Sequence, residues 1–404
     1  MTTDKLPEII QGGMGAGVSN WVLANSVARL GQLGVVSGTA LDSVMVRRLQ
    51  AGDAGGHTRR ALAAYPWQEI AQPIVDKFFI EGGKNEDKAF KNIAPPVVKM
   101  SDNAVQLLIL SNFVEIFLAK EGHDGPVGIN YLQKIQLPNL PSIFGAMLAG
   151  VDYVLMGAGI PLGIPGVLDD LSEWKETEIK IHVDDNPDKI DVRQFFDPKN
   201  YCPDQKIELT RPKFLAIITS HIVGKTMNRK ANGYVDGFVV ENHTAGGHNA
   251  PPRAKGEDGK PAFGARDEVN YEEIRKLERP FWIAGSFASP KGLQHAKDLG
   301  AVGIQAGTIF AYSRESGIAS EYKTKVIVLY KKDELTVNTD FQASPTGYPF
   351  KLVDIKAPFR EKLACDLGYL RQTYINDKGK VAYRCASEPE KVYIKKGGNP
   401  DIME

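Results

Sequence analysis

Eight short apolar runs, spaced along the first three-quarters of the chain and separated by helix-patterned segments, restrict the possible folds more than any other feature. They fall at residues 9–12, 34–38, 127–130, 153–157, 214–219, 237–240, 281–285 and 303–307. The runs are rich in Val and Ile and alternate little between apolar and polar, the pattern of strands covered on both faces. Between them, apolar residues recur at helical spacing. Residues 20–33 carry Trp21, Leu23, Ala24, Val27 and Leu30. Residues 41 to about 90 read as mostly helical, with breaks near 52–56, at Pro66 and at Pro73. Residues 102–120 read as a helix with Asp102 in its first turn, Lys120 in its last and Ser101 as N-cap. Further helices are predicted at 141–149, 223–231, 271–277 and 290–299. Eight strand–helix alternations are the count of a (β/α)8 TIM barrel. A doubly wound open sheet is the competing arrangement.

The rhythm is interrupted once. Ile179, Ile181 and Val183 alternate with Lys180, His182 and Asp184, and a second extended segment runs from 189 to 195. Asp185-Asn186-Pro187-Asp188 between them is a turn sequence. We read this as a β-hairpin excursion within about residues 170–212. After about residue 319 the pattern changes to mixed and turn-rich sequence, including Thr346-Gly347-Tyr348-Pro349 and Ala357-Pro358. The expected organisation is a barrel over 1–325 and a C-terminal extension over 326–404, which covers the barrel or meets a partner.

Composition matters here for what it leaves unsupported. Lys plus Arg and Asp plus Glu each total 49, so the net charge is zero. No nucleic-acid or anionic-membrane partner is expected. No apolar run approaches the roughly 20 residues needed to span a bilayer, and residues 1–5 lack a signal-peptide core. The three cysteines, Cys202, Cys365 and Cys385, form neither a disulfide framework nor a CxxC metal site. A reducing cytoplasmic setting and no metal are the expectations. The extension is compatible with a homodimer.

In a barrel the loops after the strands form the active face. The sixth run ends in Glu241-Asn242-His243-Thr244-Ala245-Gly246-Gly247-His248. Gly246-Gly247 allows a backbone to approach a flat or charged ligand, and His248 is presented at the strand's mouth; a flexible surface turn carrying a histidine fits the same residues. The seventh and eighth runs end in Gly285-Ser286 and Gln305-Ala306-Gly307-Thr308, each before a helix. Such turns can cradle a phosphate on free N–H groups and the helix dipole, although glycine also follows strands for steric reasons alone. Arg47, Arg48, Arg59 and Arg60 around residues 52–57 suggest either a solvated helix face or a small anion site. Gly13-Met14-Gly15 follows the first strand without completing a dinucleotide fingerprint.

The order of these motifs resembles the FMN-dependent nitronate monooxygenase (2-nitropropane dioxygenase) family. Ile10-Gln11-Gly12-Gly13-Met14 is similar to its first-strand motif, with Gly13 where proline is usual. Gly128-Ile129-Asn130 is similar to its third-strand motif, and Ala245-Gly246-Gly247-His248 matches the motif of its active-site histidine. Ala284-Gly285-Ser286 and Gln305-Ala306-Gly307-Thr308, with Glu315-Ser316, resemble its phosphate turns. The resemblance spans about residues 7–320 and extends to the flavin-barrel enoyl-thioester reductases. Met156-Gly157-Ala158-Gly159-Ile160-Pro161 and Asn249-Ala250-Pro251-Pro252-Arg253 depart from the pattern, the second where substrate choice would be made.

The resemblance implies FMN as cofactor, held by Gly13, Met14, Asn130, Glu241, Gly246, Gly247, Gly285, Ser286, Gln305, Gly307 and Thr308. Its phosphate would lie at Gly285-Ser286 and Gly307-Thr308, and its ring over Gly13-Met14. His248 is the implied catalytic residue. With an ordinary pKa of about 6.5 it could bind nitronate oxygens or take a nitroalkane's α-proton near neutral pH. The implied reaction is oxidation of alkyl nitronates or nitroalkanes with O2. The alternatives are reduction of an enoyl thioester with NAD(P)H, and a flavin- or partner-binding barrel without this catalysis.

Overall fold

The computed structural model describes residues 5–204, 207–256, 261–340, 349–355, 365 and 367–399. The turn residues 346–348 and 357–358 lie outside them. Eight parallel strands close into a barrel: β1 (Ile9–Gln11), β2 (Leu33–Ser37), β3 (Val127–Leu132), β4 (Tyr153–Gly157), β5 (Lys213–Ile218), β6 (Gly237–Glu241), β7 (Phe281–Ala284) and β8 (Gly303–Ala306). Each pairs in parallel with its sequence neighbours, and β1 closes the ring between β2 and β8, with Gln11 opposite both Gly34 and Ala306. The open-sheet alternative is thereby excluded.

The apolar runs divide their side chains between two cores. Ile10, Leu33, Val35, Leu155, Leu215, Val239 and Trp282 fill the barrel interior. The opposite faces, including Val36, Ile129, Val154 and Phe238, meet the helical layer. Burial on both faces explains the missing alternation in sequence. The Trp282 indole N–H donates to the Pro7 carbonyl at 2.7 Å and closes the bottom of the interior.

Helix α1 (Trp21–Ala28) starts at Asn20, whose Oδ1 accepts from Leu23 N–H at 3.0 Å. It ends earlier than its periodicity suggested, because the predicted segment runs into β2 at Leu33. Helices α2 (Leu41–Gln50), α3 (His57–Ala63) and α4 (Gln68–Phe78) follow. The glycine break holds, with Gly52, Gly55 and Gly56 all at positive φ. Pro73 does not break α4: it lies on the helix's exposed face, inside its span. Beyond Phe78 the chain up to residue 101 leaves helical structure, so the expected helix to about residue 90 is too long. Helix α5 spans Asp102–Lys120, and Ser101 precedes it without a capping side-chain bond. By length and composition α5 could cross a membrane, yet 72% of its most apolar window is buried. It packs between α1, α2 and the helix α6 (Asn139–Leu148), where an apolar residue is needed on nearly every side.

The excursion is a hairpin, Thr177–Lys180 against Arg193–Phe196. Ile179 and Ile181 are buried and His182 is exposed, as the alternation predicted. The later chain forms helix Ser320–Lys331, the hairpin Val337–Asp340 with Phe350–Val353, the hairpin Arg371–Ile375 with Val381–Cys385, and helix Glu390–Lys395. This chain is tied to the excursion. Asp184 N–H donates to Thr373 O at 2.9 Å, Ile375 N–H donates to Asp184 O at 3.2 Å, and buried Arg384 pairs with Asp185 at 2.5 Å. It also reaches the barrel's C-terminal mouth, where Tyr369 packs on Ala40 and Ile135.

Candidate functional site

The mouth is built from the first strand outward. Gln11 is buried; its Nε2 donates to Gly12 O at 2.6 Å and to Ser19 Oγ at 3.1 Å, and its Oε1 accepts from Val35 N–H at 3.0 Å. Ser19 Oγ in turn accepts from Met14 N–H at 2.9 Å. One glutamine thus fixes β1, β2 and the Gly12–Met14 turn in one geometry. A Cβ at Gly13 would stand 2.3 Å from Asn130 Cβ, so this turn lies on β3. A Cβ at Gly12 would stand 3.2 Å from the Gln305 side chain, and one at Gly307 would meet Met14 Cγ at 3.8 Å. Gly13, Met14, Asn130, Gln305 and Gly307 are therefore contiguous, although they come from the turn after β1, from β3 and from the end of β8.

The last three loops converge in the same way. Asn242 Oδ1 accepts from Thr244 N–H at 2.6 Å and from Thr244 Oγ1 at 2.7 Å, which folds the loop after β6 into an Asx turn. Gly285, at φ +112°, lies against that turn: a Cβ there would be 2.9 Å from both Asn242 Oδ1 and Thr244 Oγ1. A Cβ at Gly246 would be 2.8 Å from Thr308 Oγ1, while nothing lies within 4 Å of one at Gly247. Ser286 holds φ +59°, a left-handed conformation that costs a non-glycine residue on the order of 1 kcal/mol. Glu241 ends β6 opposite Ala284 and beside the Gly285 turn. The structure thus brings Gly246, Gly285 and Thr308 together, with Gly247, Ser286 and Glu241 beside them in the chain or the sheet.

These features fit a flavin phosphate and ring in three respects. In the short helix Thr308–Ala311, Phe310 and Ala311 N–H donate to Gly307 O at 2.9 and 3.0 Å, which leaves the N–H groups of Thr308 and Ile309 without an intrahelical acceptor. Open space lies above Gly247. The Gln305 Oε1 is buried without a hydrogen-bond partner, an acceptor waiting for a donor.

His248 is placed differently from a histidine projecting from an open turn. Its ring makes an edge contact with Phe350, centroids 4.6 Å apart at 86°. Burial, reinforced by the Lys134 ammonium, pulls its pKa down to about 4. The ordinary value near 6.5 expected from sequence is corrected accordingly: the imidazole is neutral at pH 7. Burial also lowers Lys134 to about 8 and raises Glu241 to about 7. The Glu241 side chain is partly enclosed at the end of β6. His243 stacks on Phe263 at 5.3 Å, and its Nδ1 is 3.8 Å from Glu268 Oε1, beyond hydrogen-bond range.

Sequence reasoning missed Lys134 and Phe350. Lys134 follows β3 in a loop with no recognisable motif, and Phe350 lies in the extension about a hundred residues from its partner. The departure after His248 has a local role. Asn249 is buried, its N–H donates to Pro349 O at 2.9 Å and its Nδ2 to Ala245 O at 3.1 Å. Arg253 N–H donates to Asp267 Oδ1 at 3.0 Å. These bonds hold the loop's shape. The arginine group lies on a partly solvated face, with Arg59 and Arg60 exposed, and three of its charges are paired within the chain. Arg48 pairs with Glu115 at 2.5 Å, Arg59 with Asp53 at 3.2 Å and Arg60 with Glu121 at 2.7 Å, and Arg47 stacks on Phe90. A cavity of about 530 Å3 lies between the excursion and the loop after β4, lined by Gln133, Ile160, Leu162, Arg193 and Phe195 among others. It shares no residue with the glycine turns. The unpartnered Gln305 Oε1 lies at the turns, and a second unpartnered acceptor, Gln133 Oε1, belongs to a residue that lines this cavity. Among the described residues no three His, Cys, Asp or Glu side chains cluster as a metal site.

Fold and site together define a closed parallel (β/α)8 barrel with glycine turns converging at its C-terminal mouth. Among solved structures, this chain is similar to a point mutant of FabK from Thermotoga maritima (18% identity, TM-score 0.46, covering 87% of this chain and 75% of that one). It is similar to FabK itself at 18% identity, TM-score 0.44, 88% and 73% coverage. Nitroalkane oxidase from Streptomyces ansochromogenes gives 13% identity, TM-score 0.42, 86% and 77% coverage. No family model matches the sequence, and no curated protein does.

Proposed function

We propose that the chain is an FMN-dependent oxidoreductase of the nitronate monooxygenase type, oxidising alkyl nitronates with O2. The observation that carries this reading is the convergence at one mouth of Gly13-Met14, Asn130, Gln305 and the turns at 246–247, 285–286 and 307–308, with Gln305 Oε1 buried and unpartnered. Gly285-Ser286 and Gly307-Thr308 would hold the phosphate, with Thr308 Oγ1 beside Gly246. Asn130 and Gln305 would hydrogen-bond the ring or ribityl chain, and Gly13-Met14 would lie under the ring. When bound, the flavin supplies the electron transfer; the chain binds and orients the substrate beside it.

The state of His248 favours a nitronate over a neutral nitroalkane. An imidazole whose conjugate acid has a pKa of about 4 is a poor base for a carbon acid, but its N–H can donate to a nitronate oxygen. Lys134, cationic at pH 7 and acting electrostatically on His248, complements the same anion.

Two measurements test the reading. Purified protein should bind FMN, seen as visible flavin absorbance; protein that neither carries nor takes up flavin removes the proposal. Anaerobically, an alkyl nitronate should reduce the bound flavin rapidly and NAD(P)H should not. Rapid reduction by NADPH, followed by turnover of an enoyl thioester, would assign the reductase chemistry instead.

A further inference from the structure

Residues 337–340 and 349–353 return to the mouth as a clip. Val337–Asp340 and Phe350–Val353 pair antiparallel, and the second strand continues onto the loop after β6. Lys351 N–H donates to Gly247 O at 3.0 Å, Asn249 N–H donates to Pro349 O at 2.9 Å, and His248 and Phe350 form an antiparallel bridge. The backbone on both sides of His248 is therefore fixed by the clip. Its side chain is fixed as well, since the Phe350 ring meets the imidazole edge to face at 4.6 Å. Edge-to-face ring pairs contribute roughly 0.5–1.5 kcal/mol beyond burial and restrict ring orientation. The neighbouring clip residue works on the other histidine: Lys351 Nζ lies 5.1 Å from the centroid of Phe263, which stacks on His243.

We propose that Phe350 is the positioning residue for His248, holding the imidazole in one orientation over the mouth and keeping water from it. This rests on the reading of His248 as the substrate-facing histidine. Phe350 needs no contact with substrate or flavin; its effect passes through the imidazole. The charged groups on the elements around that ring are Lys134 after β3, Glu241 at the end of β6, and Asp340 and Lys351 on the clip. Replacing Phe350 changes none of them, so a change in His248 after substitution reports the ring contact and the exclusion of water.

The experiment is a proton–carbon NMR titration of the histidine ring signals in the full-length protein, with His248 assigned by its absence in His248→Gln. Bound-flavin absorbance is recorded in parallel. In the wild type the His248 signals should be displaced by the Phe350 ring current and stay flat down to about pH 5. In Phe350→Ala they should lose the displacement, and the titration midpoint should rise by about one pH unit or more. Phe350→Tyr should restore both. Phe350→Leu keeps apolar volume without a ring, and it serves as the decisive variant if the alanine protein fails to fold. It should lose the ring-current displacement. His248 signals that are unchanged in Phe350→Ala, or in Phe350→Leu, overturn the proposal. A protein that shows the expected His248 behaviour yet binds no flavin would refute the flavoenzyme reading and leave the Phe350 contact standing.

Discussion

Gly13 and Asn130 touch across the barrel mouth so closely that a single added carbon at Gly13 would lie 2.3 Å from Asn130 Cβ. Real carbon pairs do not approach so near, and Asn130 is on a buried strand with no slack. Gly13→Ala should therefore shift the β1 turn, cost about 1–3 kcal/mol of stability, and reduce flavin content in the purified protein. Thermal unfolding and visible absorbance check both. Proline, usual at this place in the family that the motifs resemble, carries the same Cβ and meets the same clash. Wild-type melting and full flavin content in Gly13→Ala would show that Asn130 is free to move aside.

His248 should be dispensable for flavin binding and required for turnover. His248→Ala is expected to keep the flavin spectrum and lower kcat with a nitronate by about 100-fold or more. Because burial and Lys134 hold its pKa down to about 4, the neutral ring is the working form from about pH 5 upward. As pH falls, activity should drop only near pH 4, and a pH–rate profile reads this directly. An acid limb near 6.5 would instead mean an imidazole open to water.

Lys134→Met removes the cation next to His248. The expected result is a KM for an anionic nitronate raised roughly tenfold, a size in keeping with one charge contact of about 1.4 kcal/mol. A neutral nitroalkane should be affected less. The His248 midpoint should also rise, since a neighbouring positive charge opposes protonation. Equal changes in KM for the anion and the neutral compound would argue against a charge contact.

Glu241 makes a prediction about pH and stability. Burial raises its pKa from 4.5 to about 7, so over that interval the folded state holds a proton that the unfolded state has released. Stability therefore falls as pH rises from 4.5 through 7, and the penalty is fully present above 7. Glu241→Gln removes it. The variant should match wild type near pH 4 and gain up to about 3 kcal/mol at pH 8, an upper bound because the side chain is only partly enclosed. Melting curves at the two pH values test this, and a gain that is the same at both would place the carboxyl in ordinary surroundings.

Much of the barrel was legible because its signal is local. Val35, Val239 and Trp282 face the interior while Val36, Val240 and Ile283 face the helices, so most strand positions are apolar and each run stands out. The excursion was legible for the opposite reason, with Ile179 and Ile181 inside and His182 outside. The glycine turns could be found because a missing Cβ is visible in sequence. What brings Gly246 to Thr308, or Gly13 to Asn130, is barrel closure, and no window of sequence contains it. Helix ends were less legible: Pro73 is accommodated because it faces solvent, which its neighbours in sequence do not announce. The pKa of His248 depends on Lys134 and on its burial at the mouth, and so lay beyond any local pattern.

The clip and Tyr369 also constrain how the molecule is made. Tyr369 hydrogen-bonds Asp42 and packs on Ala40, joining positions 327 residues apart (369 minus 42). The barrel strands are complete once residue 306 has been synthesised, whereas Phe350 and Tyr369, which enclose the mouth, come later in the chain. The strands of the barrel therefore exist before the residues that cover its mouth, and the last stretch of chain encloses it. Loop closure over such distances adds little to the equilibrium cost, which grows only with the logarithm of length, but it is slow to find. A chain that ended before residue 350 would hold every barrel strand and lack the clip strand that bridges His248.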